Sequence, residues 1–423
     1  MIKKIVKSLQ ANPQVTDWLV NETQTTSNQA FYVMQKLETT RTVSTCEYSV
    51  TVYHRFNENE NEYLGASSFV ISHKLSTKAL VKMIEEAVFA ASFIKNKAYN
   101  LVTGIKKQSW KEKTLTVEPY AMIDKIATVF FNESKANIRF NALEVFLSQT
   151  TNHIVNSRGV DLKKTLNKIN VEAIPSYDGQ KHNVELYKYY TYKALDFEVI
   201  KADAIDALKD VTARYDAEPI KDIHQLDVIL SDKDAGEFFD NLISDFSYVG
   251  IYKQNTDKKI GDSVQKDVKG DLLTIGYGVA SKADTFDRDG VIVKPVKVIE
   301  NGILLNYYGG NQYAQYLGMN PTGIMDMVAV PKGKTTIEKM RKKPHLEIIA
   351  LSGIQIDIYS GYIGGEVRLA LYFDGVDYHP VSGFSFSGNI DACLSNIILS
   401  KEMVSRTAYQ GPKYIKLPAM ELL

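Results

Sequence analysis

The sequence predicts an α+β protein: an N-terminal α+β region of two subdomains, followed by a mainly antiparallel β C-terminal domain. Three observations carry this expectation. Strand-like alternation and helical spacing take turns through the first half, hairpin-turn dipeptides dominate the second, and 423 residues suit two or three domains of roughly 150 residues. The segments expected are 1–104, 105–220 and 221–423.

The elements follow in order. Cys46, Tyr48, Val50, Val52, His54 and Phe56 share one face of a period-2 pattern, with Glu47, Ser49, Thr51 and Arg55 on the other, which predicts a half-buried strand. The polar tract 57–62 reads as a solvated hairpin tip, and Tyr63 to Ile71 as the returning strand. Ser76 is placed to cap a helix whose apolar residues Leu80, Met83, Ile84, Ala87, Val88, Ala91 and Ile94 recur at helical spacing. After Thr103-Gly104 the pattern restarts: a helix near 122–131, strands at 136–139, 153–156 and 184–192, and a helix at 200–215. Glu218-Pro219 breaks the pattern ahead of an apolar strand at 227–230, which sets the main boundary near residue 220. Ser231 with Asp234 three residues on has the spacing of a capping box, and Ala235, Phe238, Phe239, Leu242, Ile243 and Phe246 form the buried stripe of the helix it would start. Asp289-Gly290, Asn301-Gly302 and Asp374-Gly375 then mark tight turns between strands.

Composition narrows function. Fifty Lys+Arg balance fifty Asp+Glu, so no global positive field exists to attract phosphate backbones or an anionic membrane, and direct nucleic-acid or membrane binding is not expected. The most apolar late stretch, 346–365, carries Glu347 and Asp357 and several glycines, unlike a bilayer span of about 20 apolar residues. The N-terminal run Met1 to Val6 is interrupted by Lys7 and Gln10 before a secretory core forms, and the two cysteines, Cys46 and Cys393, are too far apart for a local disulfide framework. A cytoplasmic location is the expectation.

Four features suggest chemistry. His345-Leu346-Glu347, with His379, would supply metal ligands if their strands were neighbours. Gly383 to Gly388 resembles a nucleophile elbow, but Ser387 stands where a glycine is required and the Phe/Ser alternation reads as a strand. Gly309-Gly310 and Gly364-Gly365 lack, in this reading, the following helix that a phosphate cradle needs. The basic cluster from Lys332 to Lys343 reads as a solvated helix face.

The C-terminal half resembles the TldD/PmbA family, also known as modulators of DNA gyrase. The resemblance is carried by Asp287-Arg288-Asp289-Gly290-Val291, Ile299 to Leu304 with Asn301-Gly302, Leu317 to Gly323, Asp357 to Gly361, and Tyr378 to Gly383 followed by Phe384 to Asn389. A looser N-terminal match runs through Val50 to Tyr53, Gly65 to Ser68 and the helix after Ser76. Membership implies a heterodimer of a zinc peptidase and a metal-free partner of similar fold. In the catalytic kind a helix carries His-Glu-x-x-x-His. At those positions this chain has Asp240, Asn241 and Asp245, an amide where the general base would be. No cysteine stands in the late Gly-containing segment 409–414 either, where the catalytic kind supplies another ligand.

The resemblance therefore implies the metal-free PmbA/TldE-like subunit. It would have no catalytic residues or cofactor of its own, with zinc only in a TldD-like partner. That partner makes a heterodimer, a homodimer being the other possibility, and the assembly would act on unfolded or extended peptides. Main-chain pairing at a sheet edge would hold such a peptide, with Asn301, Gly302, Gly323, Gly361, Ser382, Gly383, Gly388 and Asn389 as the candidate lining. Two alternatives remain open: a self-sufficient metallopeptidase with a site rebuilt from Asp240, Asp245, His345, Glu347 or His379, and a protein that binds and modulates gyrase.

Overall fold

The computed structural model describes residues 1–105 and 107–423. Its N-terminal half is one eight-stranded sheet covered on one side by helices. Helix α1 (Ile2–Gln10) precedes β1 (Asp17–Val33), β2 (Lys36–Glu58) and β3 (Asn61–Ile71); α2 (Thr77–Ala91), β4 (Gln108–Lys111) and α3 (Pro119–Asn132) follow. The half closes with β5 (Ile138–Asn156), β6 (Asp161–Asp178), β7 (Asn183–Glu185), β8 (Lys188–Tyr192) and α4 (Phe197–Asp216). The strand order is β3-β2-β1-β5-β6-β4, with β7 and β8 also on β6.

Both hairpin turns at the start of this sheet use non-glycine residues at positive φ: Met34 and Gln35 at 47° and 64°, Asn59 and Glu60 at 48° and 64°. These are two-residue loops of the I′ kind, whose twist matches that of the flanking strands. Ser76 caps α2 as expected, its Oγ accepting from the Ala79 N–H at 3.1 Å. Ile94 lies beyond the end of the helix. The helices bury two separate stripes: α1 and α2 over Trp18, Val20, Val50 and Val52, and α3 and α4 over Ala30, Tyr32, Leu143, Val145 and Val171.

Several expectations change. Residues 138–139 of the first expected strand and all of 153–156 are the two ends of one strand, β5, with 136–137 in the turn before it, and β1 and β6 flank it along most of its length. β1 gives no clear sequence signal because its middle, Glu22 to Gln29, is polar on both faces. The segments 1–104 and 105–220 share a single sheet, since β5 lies between β1 and β6. They are joined by main-chain hydrogen bonding rather than by packing of two separate units.

In the C-terminal half, β9 (Glu218–Pro219) and β10 (Gln225–Ser231) lead into α5 (Asp232–Ser244), α6 (Tyr248–Tyr252), β11 (Ile275–Gly278), β12 (Val296–Glu300), β13 (Ile303–Leu304), α7 (Asn311–Tyr316) and β14 (Met327–Ala329). Then come α8 (Ile337–Met340), β15 (His345–Asp357), β16 (Tyr362–Phe373), β17 (Tyr378–Ser382), β18 (Phe384–Asn389), α9 (Ile390–Asn396), β19 (Ile398–Leu399), β20 (Met403–Ser405), β21 (Tyr409–Pro412) and β22 (Tyr414–Leu422). Two sheets result: β15-β10-β22-β18-β16-β17-β9, with β19 on β22, and β13-β12-β11-β14-β21-β20. α5 is the element between them. Phe238, Phe239, Leu242, Ile243 and Phe246 are fully buried in the core both sheets share.

The boundary expected near residue 220 falls just after β9, which already pairs with β17 through Val381 opposite Glu218. The capping box does not form: Ser231 is the N-cap of α5 but its hydroxyl makes no cap bond. Instead Asp232, at φ 46°, donates its N–H to the Lys413 carbonyl at 2.8 Å, which ties the helix start to the last strands. A short helix, α7, does follow Gly309-Gly310.

Candidate functional site

α5 presents the positions that carry His-Glu-x-x-x-His in catalytic members of the resembling family. Its buried stripe fixes the opposite face, so Asp240, Asn241 and Asp245 fall on one outward arc. Each is held by a neighbouring element. Asp240 accepts a hydrogen bond from the Tyr277 hydroxyl on β11. Asn241 donates from Nδ2 to the Ile354 carbonyl on β15 at 2.7 Å, and Glu237, one turn earlier, accepts from the Ile354 N–H at 3.2 Å. Asp245 accepts from Asn255 Nδ2 at 3.1 Å.

The electrostatics follow from this packing. Burial raises the Asp245 carboxyl above the ordinary range, with Asp357 adding to the shift and the Asn255 bond opposing it. Burial, with its neighbours Tyr308 and Asp240, keeps the Tyr277 phenol protonated. At the start of the helix burial pushes the Asp234 carboxyl up to about 7; Lys233 opposes this and Glu237 adds to it. This donor set does not fit zinc. It offers two hard carboxylates and an amide where the metal wants imidazole or thiolate. Among the described residues no group of three or more His, Cys, Asp or Glu side chains is arranged to hold a metal ion.

The other metal candidates are dispersed. His345 is fully buried, with Nδ1 2.7 Å from the Lys343 carbonyl, and burial lowers its pKa. Glu347 is gripped by Arg341 through bonds of 2.8 and 2.5 Å. His379 lies on β17, 3.0 Å from Asp374, whose carboxyl is held down at about 2 by the Asp377 and Val376 N–H groups and by His379. Each side chain is engaged by its own local partner, the buried Nε2 of His345 alone having none, and no triad assembles.

The candidate peptide-lining residues also separate. Gly361 and Asn389 meet where β16 and β18 end together, and Gly388 follows in the same ladder. Ser382 ends β17 and Gly383 is a bend, after which the chain continues along the same edge of β16 as β18. Asn301 and Gly302, at φ 48° and 78°, make the I′ turn of the β12-β13 hairpin on the other sheet. Gly323 packs against Val293. Gly383 to Gly388 is strand β18 with the bend before it, not a nucleophile elbow.

What the family-like motifs do build is a joint with the N-terminal half. Asp287 accepts from the N–H groups of Asp289 and Val291 at 2.9 and 3.0 Å and from that of Ile324 at 3.0 Å, fastening 287–291 to 321–324. Asn21 on β1 donates to the Arg288 carbonyl at 3.1 Å. Asn311 and Gln315 of α7 both donate to the Asn100 carbonyl, each at 2.7 Å. Beside this joint opens a cavity of about 780 Å³ lined by apolar Leu101, Val102, Val291 and Ile292 together with Asn320 and Lys294. Its lining thus comes from both halves of the chain and from two of the family-like motifs, though none of the residues picked for peptide contact lies in it.

A second missed feature is Arg406, between β20 and β21. It bonds Asp203 on α4 at 2.9 and 2.8 Å and Asp232 on α5 at 2.9, 2.9 and 2.5 Å. The only sequence signals for either feature were the motifs themselves and isolated charges; the pairings span about half the chain and have no local pattern.

Comparison with known proteins agrees with this architecture. Residues 224–422 match the sequence profile of the PmbA/TldA metallopeptidase C-terminal domain. The whole fold resembles TldE from Thermococcus kodakarensis, with a TM-score of 0.76, 14% identity, and 100% of this chain and 99% of that one covered. It also resembles two proteins named as modulators of DNA gyrase. For the one from Thermotoga maritima the TM-score is 0.74 at 13% identity, with both chains covered fully. For the one from Bacteroides thetaiotaomicron it is 0.78 at 13% identity, with 99% and 97% covered. No curated protein matches in sequence. Fold and C-terminal profile together define a protein of the metallopeptidase-related α+β class. Residues 224–422 thus carry the C-terminal domain of the PmbA/TldA metallopeptidases, on a chain whose whole fold is that of TldE and of the two gyrase-modulator proteins.

Proposed function

We propose that this chain is the non-catalytic, PmbA/TldE-like subunit of a TldD/TldE-type zinc metallopeptidase assembly in the cytoplasm. It pairs with a zinc-bearing relative and helps hold unfolded or extended peptides for cleavage. The observation that carries this reading is the α5 arc. The three positions that would carry the motif are an aspartate, an asparagine and an aspartate, each tied to a neighbouring element. A carboxamide has no usable proton affinity near neutral pH, so Asn241 supplies no general base. The fold likeness to TldE supports the same assignment. A peptide segment would sit in the cavity between the two halves, where apolar side chains and the amide of Asn320 suit a main chain of varied sequence.

The names of the Thermotoga and Bacteroides relatives favour a second reading, in which the protein acts on gyrase. With equal numbers of basic and acidic residues it would then contact the enzyme rather than DNA.

The test is zinc content by elemental mass spectrometry together with casein hydrolysis, for the chain alone and mixed with a His-Glu-x-x-x-His relative from the same genome. Far less than one zinc per chain, no cleavage alone and chelator-sensitive cleavage by the mixture are expected. Near-stoichiometric zinc with chelator-sensitive cleavage by the chain alone would replace this proposal with the self-sufficient peptidase.

A further inference from the structure

The cavity between the two halves has a one-sided charge. Arg158, from the turn between β5 and β6, and Lys294, from the segment before β12, both line it, and no Asp or Glu is among its described lining residues. Arg158 is already partly neutralised. Its Nε and Nη2 donate to the two carboxylate oxygens of Asp17 at 2.5 and 2.6 Å, and that side chain is 2% exposed and outside the lining. Lys294 is fixed through its main chain, whose N–H donates to the Thr322 carbonyl at 2.9 Å. Among the described residues no carboxylate pairs with its ammonium group. In a chain of zero net charge the cavity is thus a positive recess, and its apolar wall strengthens the field that a guest meets there.

One wall also carries unpaired main chain. Residues 100–105 form neither helix nor strand. The Asn100 carbonyl is taken by Asn311 and Gln315, and the Val102 carbonyl by Asn156 Nδ2 at 2.8 Å. The N–H and C=O groups of Leu101 and Thr103, which both line the cavity, have no hydrogen-bond partner among the described residues. Main-chain groups beside an apolar wall demand partners, and a peptide laid along them offers donors and acceptors in kind.

Three features therefore meet in one place: an apolar wall, free main-chain donors and acceptors, and an unopposed cation. A small inorganic anion would answer the cation alone and leave the apolar wall uncovered. The interior of a peptide would answer the wall and the main chain, but its backbone has no charge to offer. The end of a peptide answers all three. We propose that this cavity captures the C-terminal end of a peptide, with its last side chain against Leu101, Val291 and Ile292, its main chain beside Leu101 and Thr103, and its carboxylate on Lys294. The inference rests on the reading of the cavity as a peptide site and names the part of the peptide that enters it.

The test is fluorescence anisotropy with the full chain and a fluorescein-labelled alanine pentapeptide ending in leucine, prepared as the free acid and as the C-terminal amide. The acid is expected to bind about tenfold or more tightly than the amide, as a hydrogen bond to a charged group implies. Lys294→Met, on an exposed side chain, is expected to abolish that difference by weakening the acid alone. Thr103→Trp, also at an exposed position, fills the cavity and is expected to weaken both forms. Both variants are expected to unfold in urea with the parent chain. Equal binding of acid and amide, or a preference that survives Lys294→Met, overturns the proposal; if Thr103→Trp still weakens both forms, the cavity remains a peptide site. An amide ending in glutamate that binds as tightly as the acid overturns it as well, since a side-chain carboxylate then suffices. Binding unaffected by Thr103→Trp, or no binding of either form, overturns both the proposal and the peptide reading of the cavity.

Discussion

Arg406→Met tests whether the two halves are clamped electrostatically. Arg406 makes five N–H to carboxylate contacts between 2.5 and 2.9 Å, two to Asp203 and three to Asp232. The side chains of Asp203, Asp232 and Arg406 are 9%, 21% and 25% exposed, so the guanidinium is largely removed from water. Burial by itself would lower its pKa, but the bonds to Asp232 and Asp203 outweigh that and hold it higher still. Methionine keeps the aliphatic stem and removes the charge, stranding two carboxylates in a poorly solvated place. Breaking a buried pair in this way costs ~3–5 kcal/mol, against ~0–1 for an exposed one. Because Asp232 and Arg406 retain some solvent, the lower end, ~3 kcal/mol, is expected.

The assay is urea unfolding followed by tryptophan fluorescence at pH 7 and again in mild acid. The deficit is expected to shrink on acidification, as protonation relieves the stranded carboxylates. Adding Asp203→Asn and Asp232→Asn to Arg406→Met is expected to restore part of the loss at pH 7. A deficit below ~1 kcal/mol, or a triple variant no more stable than Arg406→Met, refutes the clamp.

Other consequences can be measured as directly. Asp234 has its carboxyl raised to about 7, so folding is favoured by its neutral form: that contribution is complete below the unfolded value near 3.8 and is lost as pH rises through about 7. Asp234→Asn is accordingly expected to stabilise the protein by ~1–3 kcal/mol at pH 8.5 and to change little at pH 3.5, read from chemical unfolding at both. A β carbon on Gly65 would lie 1.8 Å from the Ala91 carbonyl oxygen at the end of α2, so Gly65→Ala is expected to cost ~1–3 kcal/mol and lower the thermal midpoint. Of the two free thiols, Cys46 is exposed and Cys393 buried with its pKa pushed up to about 12 by burial. Ellman's reagent is expected to titrate one thiol per native chain and two after unfolding; two in the native state would contradict the packing of α9.

The sequence was most legible where apolar spacing and local turn chemistry act together. α2, with its Ser76 cap, and α5, with its phenylalanine stripe, show both signals within a few residues. The Asn301-Gly302 turn follows from the demand for positive φ at both positions. β1 escaped notice because a long strand between two helix stripes has a polar middle, where Thr25 and Thr150 bond each other and Ser148 donates to Ser27. The Asn241 substitution could be read directly, but its bond to Ile354 could not, nor could the cavity between residues 101 and 321. Both depend on the packing of residues more than a hundred positions apart. His345 and His379 looked like ligands in one dimension only because sequence proximity does not show that each already has a partner.

The place of β22 has a consequence for synthesis. This strand, the last to leave the ribosome among the described elements, lies between β10 and β18, and Leu422 and Leu423 still bond to His224 and Ser385. While β22 remains in the exit tunnel, β10 and β18 cannot be joined, and the fully buried face of Ile415 and Leu417 is missing from the core. The N-terminal sheet is complete by residue 192 and can fold as it emerges, whereas the C-terminal half must wait, apolar and unfinished, until β22 has emerged. Nascent chains arrested before residue 414 emerges should thus be chaperone clients, and those arrested after residue 422 has cleared the tunnel should not.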